Sequence, residues 1–272
     1  MAETHSTRDL SLGRLIGFCK SRGIDLLLNI VLLAVLWFAY AAVRGVTSDN
    51  LAQAMNNASS LLRFQSEVGL PSELAIQESV IDRTGVLRAA NFYYIAFHFP
   101  VMLGFLGWVW LRHRSSFARI RNVLIGVSSI GLVLHMLYPL APPRMIGAFT
   151  DTAAELGPNP YEMEISSSAN QIAAMPSLHV AWALIVAVGI VWILDSPWRY
   201  LAILHPVLTV AVVVVTANHY IADAIVGSLL VAAVWMLIRS AAVSSDKVPV
   251  SDRNRARALV AGVLPTRTGA QF

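Results

Sequence analysis

Long apolar blocks separated by short polar connections restrict this chain more than any other feature of it. Residues 178–194, LHVAWALIVAVGIVWIL, are one example. At 1.5 Å per residue such blocks approach or cross a hydrocarbon core of about 30 Å. Six spans are expected: Ile24–Val43, Phe92–Leu111, Val123–Tyr138, Leu178–Leu194, Leu201–Thr216 and Tyr220–Ile238. Inside lipid every backbone polar group must be paired within the chain, so blocks of this length are helices. Strand-like alternation is absent, which argues against an outer-membrane barrel. Composition agrees, with 56% of the 272 residues hydrophobic and 13% charged, and a mean hydropathy of +0.62. The expected fold is all-α, a polytopic six-transmembrane-helix bundle. It divides into a cytoplasmic N-terminal segment (1–23), a membrane domain (24–243) and a flexible cytoplasmic tail (244–272).

Charge orients the spans. With the N-terminus inside, Arg44, Arg63, Arg83, Arg88 and Arg144 lie on the outer side, and the other fifteen of the 20 Lys and Arg residues lie inside. The positive-inside rule then puts both termini in the cytoplasm, in a plasma (inner) membrane. The formal charge of +4 reflects this bias; it suits anionic membrane lipids and calls for no nucleic-acid partner. Ala39-Tyr40-Ala41 resembles a signal-peptide cleavage site, but the apolar run before it is longer than an h-region. The single cysteine, Cys19, cannot form an intrachain disulfide; its juxtamembrane position permits palmitoylation, and an inert thiol is the simpler reading.

Two outer loops follow from this topology. In the first, residues 44–91, LLRFQSEVGLPSELAIQESV carries apolar residues at helical spacing on either side of Pro71. Short amphipathic helices capping the bundle are expected there, as a structural lid rather than a catalytic part. In the second, residues 139–177, the segment YPLAPPRMIGAF is rigid and proline-rich, and SSSANQ reads as flexible.

The same topology brings Arg144, His179 and His219 to one depth at the outer, periplasmic face. Ser177, after Pro176, reads as the N-cap of the fourth span, leaving free N–H groups and the positive end of the helix dipole near His179. The turn at Ala217-Asn218 is expected to do the same for His219. Two helix starts meeting at a membrane surface would hold an anion, and Arg144 would add a bidentate guanidinium. Asp223 follows His219 at i+4, on the same helix face. It can hold the imidazole N–H and leave the other nitrogen as nucleophile or base, or it can simply satisfy a structural histidine. Spacing alone leaves both readings open.

The stretches AAMPSLHVAWA and NHYIADAIVG together resemble the type 2 phosphatidic acid phosphatase (PAP2) superfamily, whose motifs include P-S-x-H and a downstream H-x-x-x-D. The closer resemblance is to the branch containing inositol phosphorylceramide synthase, through M-P-S-L-H, H-Y-x-x-D and YPLAPPR. It covers about residues 90–240. The resemblance implies that His219 is the nucleophile that forms a phosphohistidine, that Asp223 orients it, and that His179 protonates the leaving group, with no metal and no cofactor. Substrates would be a lipid phosphate or phospholipid donor and, for transfer, an alcohol or sugar-alcohol acceptor.

The chain also departs from the broad family. Its Lys-x6-Arg-Pro motif finds Leu137 at the lysine, Arg144 at the arginine and no proline after it. The Ser-Arg pair ahead of the nucleophile is replaced by Val212 and Val213. Fewer cations mildly favour a singly charged phosphodiester donor and lean toward a phosphotransferase, whereas wet access at the outer face favours water as acceptor and a lipid phosphate phosphatase; the sequence leaves both open. Phosphate-binding candidates are Arg144, Ser177 and His98, with Arg88 as a further replacement; His98 and His135 also suit core hydrogen bonding. His5, His113 and His205 are expected near the cytoplasmic side. A proton-coupled transporter would instead carry its polar groups near the midplane, and a metal site of His179, His219 and Asp223 is chemically possible.

Overall fold

The structure, a computed structural model, describes residues 50–157 and 172–247, with isolated positions between 23 and 38. Among these the chain is helical, with one isolated parallel bridge, Leu140 to Ala173. In chain order the helices are α1 (Leu51–Glu67), α2 (Glu73–Glu78), α3 (Thr84–Phe92), a π turn (Tyr93–Phe97), α4 (His98–Arg112), α5 (Arg114–Leu137), α6 (Thr152–Leu156), α7 (Leu178–Ile193), a 3-10 segment (Pro197–Ile203), α8 (Leu204–Val215) and α9 (Ile221–Lys247).

Four helices are long and apolar enough to cross a membrane: Thr84–Arg112, Arg114–Leu137, Pro197–Val215 and Ile221–Ser240. They mark a membrane protein. The six expected spans are thus only partly realised. The first falls largely outside the described residues, and the fourth is α7, of 16 residues, about 24 Å long and short of a full hydrocarbon core. Its position explains its length. α7 packs against α4, α5, α8 and α9, and Val180, Ala181, Ala183, Ile185, Val186, Ala187 and Gly189 are buried. A helix apolar on all sides in this way is one enclosed by protein. The core around it joins Met102 and Phe105 of α4, Val123 and Val127 of α5, and Val231 and Val234 of α9.

Two helices begin earlier than the apolar blocks suggested. α5 starts at Arg114 rather than near Val123, and the helix through α4 starts at Thr84 rather than at Phe92. Hydropathy marks the greasy part of a helix, whereas the backbone pairing of α5 reaches back through RSSFARIR, after a break at His113. There Arg114 lies over the Trp110 ring and Arg119 over Trp192, so the cations sit on aromatic faces. α9 runs through Lys247, past the expected boundary at Ser244; the tail beyond it lies outside the described residues. So does SSSANQ.

The first outer loop forms helices on either side of Pro71, α2 short as expected and α1 a longer one of 17 residues. It is more than a cover. Ala54, Ala58 and Leu61 of α1 join Leu140, Ala141, Ile172, Ala174 and Tyr220 in a second buried cluster. Gln77 of α2 donates through Nε2 to the carbonyls of Thr150 (2.9 Å) and Val215 (3.2 Å), and its Oε1 accepts from the Thr150 amide (3.0 Å). The proline-rich segment is buried beneath this loop, with Leu140 and Ala141 fully enclosed.

Candidate functional site

Two chain reversals build the site. The first leads into α7, where Ser177 caps the helix by accepting from the Val180 amide, as its sequence position suggested. His135 of α5 meets the Pro176 carbonyl through Nε2 (3.1 Å), which makes it a support for the turn ahead of His179. The second reversal joins α8 to α9. Ala217 adopts a positive φ of 54°, uncommon for a residue with a Cβ. The amides of Asn218 and His219 both donate to the Val213 carbonyl (3.0 and 3.1 Å), and Arg144 N donates to the Ala217 carbonyl (2.8 Å).

The two reversals touch. The Ser177 amide donates to the Asp223 carbonyl (3.1 Å), and a Cβ added to Gly227 would lie 2.6 Å from the Ser177 carbonyl oxygen. Only glycine allows α9 to come this close. As a result the His179 and His219 rings lie 5.7 Å apart, centre to centre. Tyr94 stacks on His179 at 4.3 Å, His98 lies 4.7 Å from His179, and Trp182 stacks on His98 at 5.5 Å. Arg144, buried, donates from Nε to Asn218 Oδ1 (3.2 Å), next to the nucleophile candidate. The six residues singled out from the sequence, His219, His179, Asp223, Arg144, Ser177 and His98, therefore form one cluster.

Details differ from expectation in two ways. His219 Nδ1 donates to the Ala174 carbonyl at 2.9 Å, and Asp223 Oδ2 is farther, at 3.4 Å. The carbonyl fixes the tautomer, with the proton on Nδ1 and the lone pair on Nε2. Asp223 instead caps its own helix, accepting from the Tyr220 amide at 2.9 Å. Second, the start of α9 does not offer free N–H groups: Ile221 N donates to Glu73 Oε1 and Ala222 N to Gln65 Oε1, each at 2.9 Å. A fixed buried carboxylate answers the helix dipole better than open solvent would, so the loop occupies this end. Tyr220, between these two amides and His219, is fully buried and donates its hydroxyl to Ala141 (2.9 Å).

Burial pushes the His219 imidazole down to about 4, with the Ala174 hydrogen bond opposing and Arg144 reinforcing the shift. The ring is neutral at physiological pH, as a nitrogen nucleophile must be. Neither ring nitrogen of His98 has a hydrogen-bond partner, although the residue is only 3% exposed. Leaving a buried donor unpaired costs about 1–3 kcal/mol, so this ring is suited to a ligand. Val212 and Val213 are buried and apolar, Leu137 is 72% exposed, and Arg88 is exposed on α3. Among the described residues, no group of three His, Cys, Asp or Glu is disposed to hold a metal ion.

His179 and His219 face each other across α7 and α9, with an aspartate one turn beyond the second, and a family profile for the PAP2 superfamily matches residues 59–237. The chain belongs to the PAP2 superfamily. Members are phosphatases and phosphotransferases, and this PAP2 protein is a membrane protein that brings two histidine rings within 5.7 Å of each other. No curated protein and no solved structure matches it. The match begins at Ser59, so it includes the second half of α1 and all of α2. Sequence reasoning missed Glu73, Gln65, Tyr94 and the Ala174 carbonyl. Tyr94 stands four residues before His98, the spacing at which side chains on a helix share a face, and that signal was readable.

Proposed function

We propose that this PAP2 protein is a lipid phosphotransferase working through a phosphohistidine at the outer membrane face. The carrying observation is the His219 ring, its Nδ1 proton held by Ala174 and its second nitrogen unencumbered, beside His179. His219 Nε2 attacks the donor phosphorus, forming an N–P bond as the P–O bond to the leaving group breaks, and His179 gives that oxygen a proton. Arg144 balances charge on the non-bridging oxygens, with the α7 helix end and the two unpaired nitrogens of His98 beside it. In the second step His179 takes the proton of an acceptor hydroxyl, the O–P bond forms, and the N–P bond breaks. Asp223 stabilises the phosphorylated imidazole from 3.4 Å.

Transfer to an alcohol or sugar alcohol is favoured over hydrolysis because apolar Val212, Val213 and Leu137 stand where the broad family carries phosphate-binding residues. A singly charged phosphodiester needs fewer cations than a phosphomonoester. The same observation, with YPLAPPR, supports the branch that resembles inositol phosphorylceramide synthase. The chemistry needs no metal, since the nucleophile is neutral without one. Purified protein in lipid is given phosphatidic acid, an isoprenyl phosphate or phosphatidylinositol, each with and without diacylglycerol or a sugar alcohol, in EDTA. A new phosphodiester that appears only with acceptor, and not with His219→Ala, is the expected product. Free phosphate released without acceptor makes the protein a phosphatase, and turnover surviving His219→Ala removes the phosphohistidine.

A further inference from the structure

The start of α9 carries the nucleophile candidate two residues ahead of it and Asp223 within its first turn. Its free amides are taken one by one by side chains. Tyr220 N is held by Asp223, Ile221 N by Glu73 and Ala222 N by Gln65, all at 2.9 Å. Glu73 and Gln65 come from the first outer loop, 148 and 157 residues away in sequence, and each is 2% exposed. Burying a carboxylate is costly unless strong donors meet it. A helix N-terminus provides both the donor and a favourable dipole. Glu73 itself is fixed from behind, because it opens α2, whose Ser72 cap accepts from the Ala75 amide. Gln77 of the same short helix ties it to Val215, at the end of α8. The loop thus grips both sides of the turn that presents His219.

We infer that Glu73 is a positioning residue for the nucleophile: its carboxylate sets the first turn of α9, and with it the aim of His219. The inference rests on the phosphohistidine reading for its effect on rate. Reaction rates fall steeply with displacements of a reacting atom of about 1 Å, so a loosened turn lowers turnover before it unfolds the protein. The acceptor oxygen is the operative feature, since the contact is a hydrogen bond to a backbone amide.

The test compares Glu73→Met, which keeps volume but has no acceptor oxygen, with Glu73→Gln, which keeps the oxygen and loses the charge. Three quantities are read: the rate of phosphohistidine formation from phosphatidylinositol, the Kd for that lipid, and the ring ¹⁵N resonances of His219 in histidine-labelled protein in nanodiscs, assigned with His219→Ala. Glu73→Met is expected to slow phosphohistidine formation at least tenfold with Kd within twofold, and to shift or broaden the His219 resonances. Glu73→Gln is expected to stay within threefold of the parent rate with parent-like resonances. A Glu73→Met protein with the parent rate and spectrum overturns the inference. So does a folded Glu73→Gln protein slowed more than tenfold, a result that decides the matter even if Glu73→Met does not fold. If the parent forms no phosphohistidine, the functional reading fails, and the His219 resonances still test Glu73: altered in Glu73→Met and kept in Glu73→Gln supports it, unaltered in both overturns it.

Discussion

His219 is neutral because it is buried, and that fixes the direction of its pH response. Protonation would place a charge where water cannot reach it, so the acid limb of phosphohistidine formation belongs near 4 and not near the ordinary histidine value of about 6.5. Single-turnover rates are expected to fall less than about twofold from pH 7 to pH 5, whereas an unshifted histidine would lose about 25-fold. The stability sign follows: between about 6.5 and 4 the unfolded chain binds a proton that the folded chain refuses. Stability from this group is therefore full above 6.5 and declines as pH falls toward 4. Asp223 tests a separate point, since it both caps α9 and lies 3.4 Å from the imidazole. Asp223→Asn keeps an acceptor for the Tyr220 amide but removes the carboxyl group. It is expected to keep the unfolding midpoint within a few degrees while slowing turnover by about 100-fold or more, as loss of the carboxylate partner of a catalytic histidine does elsewhere. Equal loss of stability and rate would reduce Asp223 to a cap.

Between elements, the joint of α7 and α9 controls how the two histidines meet. A Cβ at Gly227 would press on the Ser177 carbonyl at 2.6 Å, and both partners are backbone, Ser177 as the cap of α7 and Gly227 within the body of α9, so neither can rotate away. Gly227→Ala is expected to cost about 1–3 kcal/mol, read as a lowered unfolding midpoint in detergent, and to slow turnover by parting Ser177 from Asp223. Gln77 makes the complementary case at the α2, α8 and second-loop junction, where all three of its hydrogen bonds are to backbone. Gln77→Leu, close in volume, leaves the Thr150 amide and carbonyl without their partner. About 1–3 kcal/mol is expected for each group left buried and unpaired. These joints also show what a sequence alone conveys. The histidine pair, the aspartate at i+4 and the Ser177 cap follow from local spacing, which is why they were legible. Glu73, Gln65 and the Ala174 carbonyl act across about 45 to 157 residues of chain, and nothing local marks a polar residue on an amphipathic helix as turned inward. The carbonyl has no sequence signature at all.

At the scale of the whole molecule, apolar residues serve two purposes that hydropathy does not separate. Leu103, Val133, Leu229 and Leu237 are exposed and suit contact with lipid, while the equally greasy α7 is spent on the interior. That is why six apolar blocks yield four helices of spanning length and one short central one among the described residues. The central helix starts at the histidine end, so the site lies at one end of the bundle, with the 3-10 segment Pro197–Ile203 just after the other end of α7. The first outer loop grips the histidine end, and the arginine-rich connection at Arg112–Arg121 lies on α4 and α5 toward the opposite one. The proposed external site rests on positive-inside bias, by which that basic end is the cytoplasmic one. Two exposed positions, Glu78 on α2 and Ser196 before the 3-10 segment, report on the two ends. In a Cys19→Ser background, Glu78→Cys is expected to react with a membrane-impermeant maleimide added outside intact cells, and Ser196→Cys only after the membrane is opened. The reverse pattern would turn the bundle over and move the phosphoryl chemistry to the cytoplasmic leaflet, where the donor and acceptor lipids would have to be sought.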